Sequence, residues 1–195
     1  MDNGIIVTAG LVLRETETKE SDKILTVLTP ELGRISVIAK GARSRRSKYT
    51  AACQLLAYDE MTLRRKGEWY YLAEAGTLEL FDGVRQDIQR LALASYFAEL
   101  TETVCQDALT AAEILPLLLN ALFALGTLGK EPLVVKAAFV WRLLEMAGFA
   151  PLADGCAVCG THNPKEPVFD AQQGVLLCKE CADHGGSGLL PLDAG

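Results

Sequence analysis

Two C-x-x-C pairs constrain the fold of this 195-residue chain more than any other feature. Cys156 and Cys159 form the first pair, Cys178 and Cys181 form the second, and 18 residues separate the pairs. Two residues between cysteines let both thiolates face one ion, and Zn²⁺ prefers four such ligands in a tetrahedron. The spacing predicts a structural zinc site, because four thiolates leave no open coordination position for catalysis.

Other interpretations of the cysteines are weaker. Disulfides would require an oxidising compartment, and a redox-active C-x-x-C would not require a second pair. His162 and His184 lie in the same region and are alternative ligands. The two remaining cysteines, Cys53 and Cys105, stand in apolar surroundings and are predicted to be buried structural thiols.

The first 80 residues have the pattern of short β-strands. Apolar, β-branched runs predict strands over residues 23–28 and 34–40, joined by the turn Thr29-Pro-Glu-Leu-Gly33. Two longer strands follow, with Lys66-Gly67-Glu68 as their hairpin turn. Five short strands without a long helix indicate a small barrel or sandwich. The five-stranded oligonucleotide-binding (OB) barrel is one candidate, and the pattern does not distinguish it from an SH3-like barrel.

A helical pattern replaces the strands after residue 83, where apolar residues recur at steps of three and four. A second helix is predicted near Thr110, where Thr110 and Glu113 match a capping box, although Pro116 would delay or kink it. A third helix is predicted from Pro132 to about residue 148. Its mostly apolar composition predicts that it is the most buried of the three.

These patterns predict an α+β, multidomain chain. Residues 1–80 are expected to form a small β-barrel domain, which the family resemblance described below identifies as an OB fold. Residues 81–149 are expected to form a helical domain, and residues 150–185 a zinc-ribbon-like region with a short hairpin between its cysteine pairs. Residues 186–195 begin a carboxyl-terminal segment.

Positive charge is concentrated in one part of an acidic chain whose net charge is −6. Residues 1–80 carry 12 Lys and Arg against 11 Asp and Glu, whereas residues 81–195 carry 7 against 14. No acidic residue occurs between Glu31 and Asp59. That gap contains Arg34, Lys40, Arg43, Arg45, Arg46 and Lys48, and a second basic cluster, Arg64, Arg65 and Lys66, follows at the predicted hairpin.

Such asymmetry suggests a polyanionic partner. Lys and Arg that contact phosphates give affinity without sequence preference, and a barrel with a basic rim and aromatic residues suits single strands whose bases can stack. The aromatic residues available are Tyr49, Tyr58, Trp69, Tyr70 and Tyr71. Charge runs are also usual on solvated surfaces, so the charge pattern alone leaves both interpretations open.

Catalysis is not indicated. The chain contains only two histidines, and neither a G-x-x-x-x-G-K-[ST] loop nor a G-x-S-x-G motif occurs. Asp59 and Glu60 are adjacent, so on a strand they would face opposite sides and could not act as a carboxylate pair. We therefore expect a binding protein and not an enzyme.

The amino-terminal residues lack the basic region of a signal peptide, and the most apolar stretches are interrupted by Glu, Asn or Lys. The expected location is the cytoplasm, without a membrane segment.

The run "ETKESDKILTVLTPELGRISVIAKGARSRRS" resembles the amino-terminal domain of the RecO family of bacterial DNA repair proteins. The matching elements are Glu20-Ser-Asp22, the turn ending at Gly33, and Lys40-Gly-Ala-Arg43. The barrel, the helices and the cysteine pairs follow in the order of that family, so the resemblance covers essentially the whole chain.

The resemblance implies an OB-fold barrel, a helical domain, a zinc-finger-like insertion and a role as a recombination mediator. Such proteins bind single- and double-stranded DNA and anneal complementary strands. With RecR, they help to load RecA onto strands covered by single-strand-binding protein, whose acidic carboxyl-terminal tail is a further partner. The implied location is the bacterial nucleoid. The resemblance also predicts a further helical segment beyond "LLPLDAG", which would make this copy either short or truncated.

Two hypotheses follow. In the first, the nine basic residues named above bind DNA, with Lys40 and Arg43 belonging to the basic motif of the family. In the second, the chain is a protein–protein scaffold whose basic loop contacts acidic partner tails instead of DNA.

Overall fold

The computed structural model describes residues 4–105, 107–183 and 188–192. Residues 1–143 form one compact unit and residues 144–195 form another. The first unit begins with five strands: β1 (Ile5–Thr18), β2 (Asp22–Thr29), β3 (Gly33–Ala39), β4 (Tyr58–Lys66) and β5 (Trp69–Glu79). They close into a barrel in the order β1-β2-β3-β5-β4.

This strand order decides among the OB barrel, the SH3-like barrel and the sandwich that the sequence allowed. All neighbouring strands are antiparallel except β3 and β5, which pair in parallel through Val37 opposite Tyr70 and Ile38 opposite Tyr71. A closed five-stranded barrel with this crossover is the OB arrangement, so the predicted fold class is confirmed.

Alternating side chains fill the barrel because successive residues of a strand point to opposite faces. The residues of the interior are fully buried, among them Val12, Leu25, Val27, Val37, Met61 and Leu63. Residues 40–57, which connect β3 to β4, form a series of turns whose Ala42, Ala52 and Cys53 pack against the same cluster or are buried beside it. This connection therefore closes one part of the barrel.

Four helices follow: α1 (Asp82–Arg85), α2 (Ile88–Val104), α3 (Ala108–Gly126) and α4 (Pro132–Met146). The Asp87 side chain accepts hydrogen bonds from the amides of Gln89 and Arg90, so it separates α1 from α2 and caps α2. The contact between α1 and α3 is close: a Cβ on Gly83 would lie 2.1 Å from the carbonyl oxygen of Gly126.

The prediction of a second helix that starts near Thr110 is confirmed, but the predicted capping box is wrong. α3 begins at Ala108, and its cap is Asp107, whose carboxylate accepts a hydrogen bond of 2.9 Å from the amide of Thr110. Thr110 therefore lies inside the helix. Pro116 also lies inside it, and the helix continues past it to Gly126.

The prediction that the third helix is the most buried was also wrong. α4 buries Val135, Phe139 and Leu143, whereas α3 buries seven residues. The shared core joins these helices to the barrel through Leu11, Leu28 and other residues of one apolar cluster, and the rings of Phe97 and Phe139 stack with centroids 4.2 Å apart.

Among the described residues, α3 is the one helix that is long and apolar enough to cross a membrane by length and composition. Core helices of folded domains meet the same criteria, and the buried side of α3 belongs to the apolar cluster.

The second unit contains a three-stranded antiparallel sheet in the order β7-β6-β8. Its elements are β6 (Pro167–Asp170), β7 (Val175–Cys178), the short helix α5 (Lys179–Ala182) and β8 (Leu189–Pro191). The β6–β7 pair is the hairpin that the sequence predicted between the cysteine pairs.

Candidate functional site

The barrel brings the two basic clusters of the sequence together. Because β3 pairs with β5 and β5 pairs with β4, the end of β3 lies near the β4–β5 hairpin. An open groove of about 350 Å³ forms there. It is lined by Ile5, Lys40, Arg64, Arg65, Lys66 and Tyr71, and we call it the basic groove.

Two of these cations lie over aromatic rings. The Lys40 ammonium group is 5.5 Å from the centroid of the Tyr71 ring, and the Arg65 guanidinium group is 5.9 Å from that of Tyr70. Both distances are within the range of a cation–π contact. The groove therefore combines positive charge with an aromatic surface.

Hydrogen bonds fix the start of the β3–β4 connection to the β1–β2 turn, and the residues that form them belong to two of the three sequence elements that carried the family resemblance. The Asp22 carboxylate accepts a hydrogen bond of 2.8 Å from the amide of Gly41, and the amide of Arg43 donates to the carbonyl of Ser21 at 2.9 Å. The Arg43 guanidinium group also forms an ion pair with Glu17 at 3.0 Å. Arg43 thus holds the loop in place and has its charge partly neutralised.

Arg45, Arg46 and Lys48 are exposed on the same connection, beyond the groove. The Lys48 ammonium group lies 5.0 Å from the Tyr49 ring centroid, and its hydrogen bond to Tyr49 raises the pKa of Lys48. These three side chains extend the positive surface away from Lys40.

Arg34 lies apart from the other predicted basic residues. It stands at the beginning of β3, opposite Leu28, whereas Lys40 follows the other end of the strand. Its guanidinium group donates a hydrogen bond of 2.6 Å to the carbonyl of Glu102 on α2. The structure therefore does not bring Arg34 into the basic groove.

A buried carboxyl group, Asp59, was not recognised in the sequence. It lies on β4, and its side chain points to the same face of the strand as those of Met61 and Leu63. The residue is inaccessible to solvent. Burial raises the pKa of Asp59 to about 6, and the nearby Thr77 hydroxyl and Arg85 guanidinium group oppose the rise. The alternation of β4 is the signal that could have revealed it, because Asp59 occupies an inward position.

The four paired cysteines of the second unit converge. The four sulfur atoms all lie within 4.8 Å of one another; they belong to Cys156, Cys159, Cys178 and Cys181. The Cys159 and Cys178 sulfurs are 3.8 Å apart. A tetrahedral Zn²⁺ with bonds of about 2.3 Å requires sulfurs separated by ~3.8 Å, so the cluster has the dimensions of a metal site.

Local hydrogen bonds favour the thiolate form of Cys156 and Cys159, whereas the hydrogen bond with Cys178 raises the pKa of Cys181. Backbone amides of Cys159 and Cys178 lower the pKa of Cys156 to about 6, and a hydrogen bond from the Thr161 hydroxyl, 3.1 Å from the sulfur, lowers the pKa of Cys159. His162 is not part of this group of four ligands. Its Nδ1 lies 3.0 Å from the carbonyl oxygen of Asp154. His184 lies outside the described residues.

The prediction for the other two cysteines is confirmed. Cys53 and Cys105 are both buried, and burial raises the pKa of each thiol, that of Cys53 to about 12.

Comparison with known proteins agrees with the geometry. Residues 1–81 match the family model of the recombination protein O N terminal domain, and residues 85–193 match that of the C terminal domain. The chain is 32% identical over 188 residues to a DNA repair protein RecO of Acetivibrio thermocellus. The aligned region covers 96% of this chain and 74% of that relative. It is 36% identical over 189 residues to a DNA repair protein RecO of Anaeromyxobacter dehalogenans. That alignment covers 95% of this chain and 74% of the relative.

Proposed function

The chain belongs to the RecO family of DNA repair proteins, and we propose that it is a recombination mediator that binds and anneals DNA strands through the basic groove. The observation that carries this proposal is the convergence of Lys40 with Arg64, Arg65 and Lys66 around Tyr71 on an OB barrel. We assign Lys40, Arg64 and Lys66 as the principal phosphate contacts, with Arg65 beside them.

The charge of the groove explains both binding and annealing. Each cation that contacts a phosphate releases a counterion, which favours association with any DNA sequence. Two complementary strands repel each other through their phosphates. A surface that neutralises part of that charge lowers the repulsion and lets the bases pair. The exposed Arg45, Arg46 and Lys48 extend the same surface, whereas Arg34 lies at the other end of β3 and is not assigned to it.

We further propose that the four-cysteine cluster holds a structural Zn²⁺. The 3.8 Å sulfur separation and the amides directed at Cys156 support this assignment. A bound ion would crosslink the two knuckles of the second unit. Four thiolates leave no coordination position for a substrate, so the site has a structural role. We propose that the chain acts as a binding protein and not as an enzyme.

The partners that we propose come from family membership: RecR, the carboxyl-terminal tail of single-strand-binding protein, and RecA as the protein loaded onto the strand. The corresponding location is the cytoplasm, in association with the nucleoid.

The test compares two double variants that remove the same charge. Lys40→Ala with Lys66→Ala removes two groove cations, and Lys130→Ala with Lys165→Ala removes two exposed cations elsewhere. Affinity for a single-stranded oligonucleotide is measured from 50 to 300 mM salt. We expect the groove variant to bind more weakly, to anneal complementary strands more slowly, and to lose about 1.4 from the slope of log affinity against log salt.

The matched control is expected to keep the wild-type slope. Equal slopes for both double variants would contradict the assignment of the groove. Wild-type protein that neither binds nor anneals DNA would contradict the proposed function.

A further inference from the structure

One outer face of the barrel exposes aromatic and apolar side chains, with Arg64 among them. Tyr70 and Leu72 pack against the interior, so their neighbours Trp69 and Tyr71 face outward. In the sheet register, Tyr71 of β5 lies between Ile38 of β3 and Arg64 of β4. Arg64 in turn lies opposite Ile5 of β1. Trp69 is 45% exposed and Ile5 is 64% exposed.

Basic residues lie within this face and at its edges. Lys66 lies opposite Trp69 in the β4–β5 register and Arg64 lies opposite Tyr71. On the other side, Lys40 comes two residues after Ile38 in the sequence, and its ammonium group lies over the Tyr71 ring. The aromatic pair is thus flanked by the groups that the proposed function assigns to phosphates.

The other aromatic residues of the barrel are engaged in packing. Tyr49 packs against the interior cluster, and its hydroxyl donates a hydrogen bond to the carbonyl of Ala73. Tyr58 packs against the core shared with the helices. Only part of the aromatic set named in the sequence is therefore available to a ligand.

We propose that Trp69 and Tyr71 are stacking platforms for two unpaired bases, and that they give the basic groove a preference for single strands over duplex. This inference rests on the proposed function, since it assigns the bases of a strand whose phosphates the groove binds. A base that stacks on Tyr71 displaces the Lys40 ammonium group from the ring, and this flexible side chain then meets a phosphate.

Geometry favours an unpaired strand. Residues two apart on a strand are separated by about 6.8 Å, twice the ~3.4 Å step between bases of a duplex. An extended single strand can place consecutive bases on two platforms at that distance, whereas a duplex keeps both faces of each base covered. Phosphate contacts serve both forms of DNA, so the aromatic residues provide the discrimination.

The experiment measures affinity for a thymidine oligonucleotide and for a duplex of equal length. The variants are Trp69→Ala and Tyr71→Leu, and the matched control is Leu78→Ala, an exposed apolar residue on the same strand. We expect each aromatic variant to lose about fivefold to a hundredfold in single-strand affinity, with unchanged duplex affinity and unchanged salt slope. The control is expected to bind both DNAs like the wild type.

A second measurement does not depend on the folding of these variants. The chain has two tryptophans, so Trp141→Phe leaves Trp69 as the only fluorophore of that type. Stacking predicts that the oligonucleotide quenches its fluorescence and that the duplex quenches it less.

The outcomes separate the two proposals. Wild-type single-strand affinity in both aromatic variants, or equal losses for single strand and duplex, would overturn the stacking inference. If the Lys40/Lys66 variant still loses affinity in that case, the proposed function stands. If neither set of variants affects binding, both proposals fail.

Discussion

Asp59 lies inside the barrel, in line with Met61 and Leu63 on β4. Burial raises the pKa of its carboxyl group to about 6, above the value of about 3.9 expected in the unfolded chain. The unfolded state therefore binds fewer protons between these two values. The free energy of unfolding falls as the pH rises from about 4 to 6, and the loss is complete above that range.

Replacement of this carboxyl by an amide is expected to remove the pH-dependent loss. Asp59→Asn is predicted to increase the free energy of unfolding by about 2 kcal/mol at pH 7.5 and to change it little at pH 4.5. Urea denaturation at both pH values measures this difference. Glu60→Gln, at the exposed neighbouring position, is the control and is expected to show no such pH-dependent gain. A gain of equal size at both pH values would contradict the explanation.

Arg43 and its neighbours on the β3–β4 connection are not equivalent. Arg43 is paired with Glu17, whereas Arg45 and Arg46 are exposed. We expect Arg45→Ala with Arg46→Ala to weaken DNA binding and to reduce the salt slope by about 1.4, because two free phosphate ligands are lost.

Arg43→Ala is the comparison for that double variant. It is predicted to leave the salt slope nearly unchanged, because Glu17 already neutralises much of the charge. The same slope change per charge in both variants would show that Arg43 leaves Glu17 to bind DNA.

Among the elements, those defined by local sequence were predictable. The hairpin turn at Gly67 and the turn that ends at Gly33 each require a left-handed backbone, and glycine provides it at low cost. The alternation of apolar residues predicted the strands that these turns join. The C-x-x-C spacing likewise located all four residues of the sulfur cluster.

Elements that depend on distant contacts were not predictable in the same way. The parallel pairing of Val37 with Tyr70 joins the two basic clusters, and no local pattern encodes that pairing. The capping box at Thr110 was a valid local pattern, but Asp107 caps the helix one turn earlier. Apolar composition suggested a buried α4, yet burial follows the side that meets the core, and Leu133 and Val134 remain exposed.

At the scale of the whole molecule, positive charge belongs to the barrel, and the rest of the chain is acidic. Residues 81–195 carry 14 acidic side chains against 7 basic ones. The proposed DNA binding fits this distribution, because a phosphate backbone would be attracted to the basic groove and repelled by the acidic residues of the rest of the chain, despite the net charge of −6.

The two compact units differ in what stabilises them. The unit of residues 1–143 has two large apolar clusters, whereas the buried cluster of residues 144–195 contains only Cys156, Leu177 and Ala182 among the described residues. So small a core supplies little stability, and a metal ion bound by four thiolates would replace it. The proposed zinc is thus expected to determine whether the second unit folds.

Cys178→Ser tests this dependence, because it removes one of the four thiolates. We expect wild-type protein to carry about one zinc per chain and the variant to lose it, with new protease cleavage confined to residues 150–183. Chelation of the wild type should produce the same cleavage pattern, while the barrel keeps its β-sheet circular dichroism. Cys105→Ala removes a thiol outside the cluster and should retain the metal. Native protein without zinc, or an unchanged cleavage pattern after chelation, would refute the assignment.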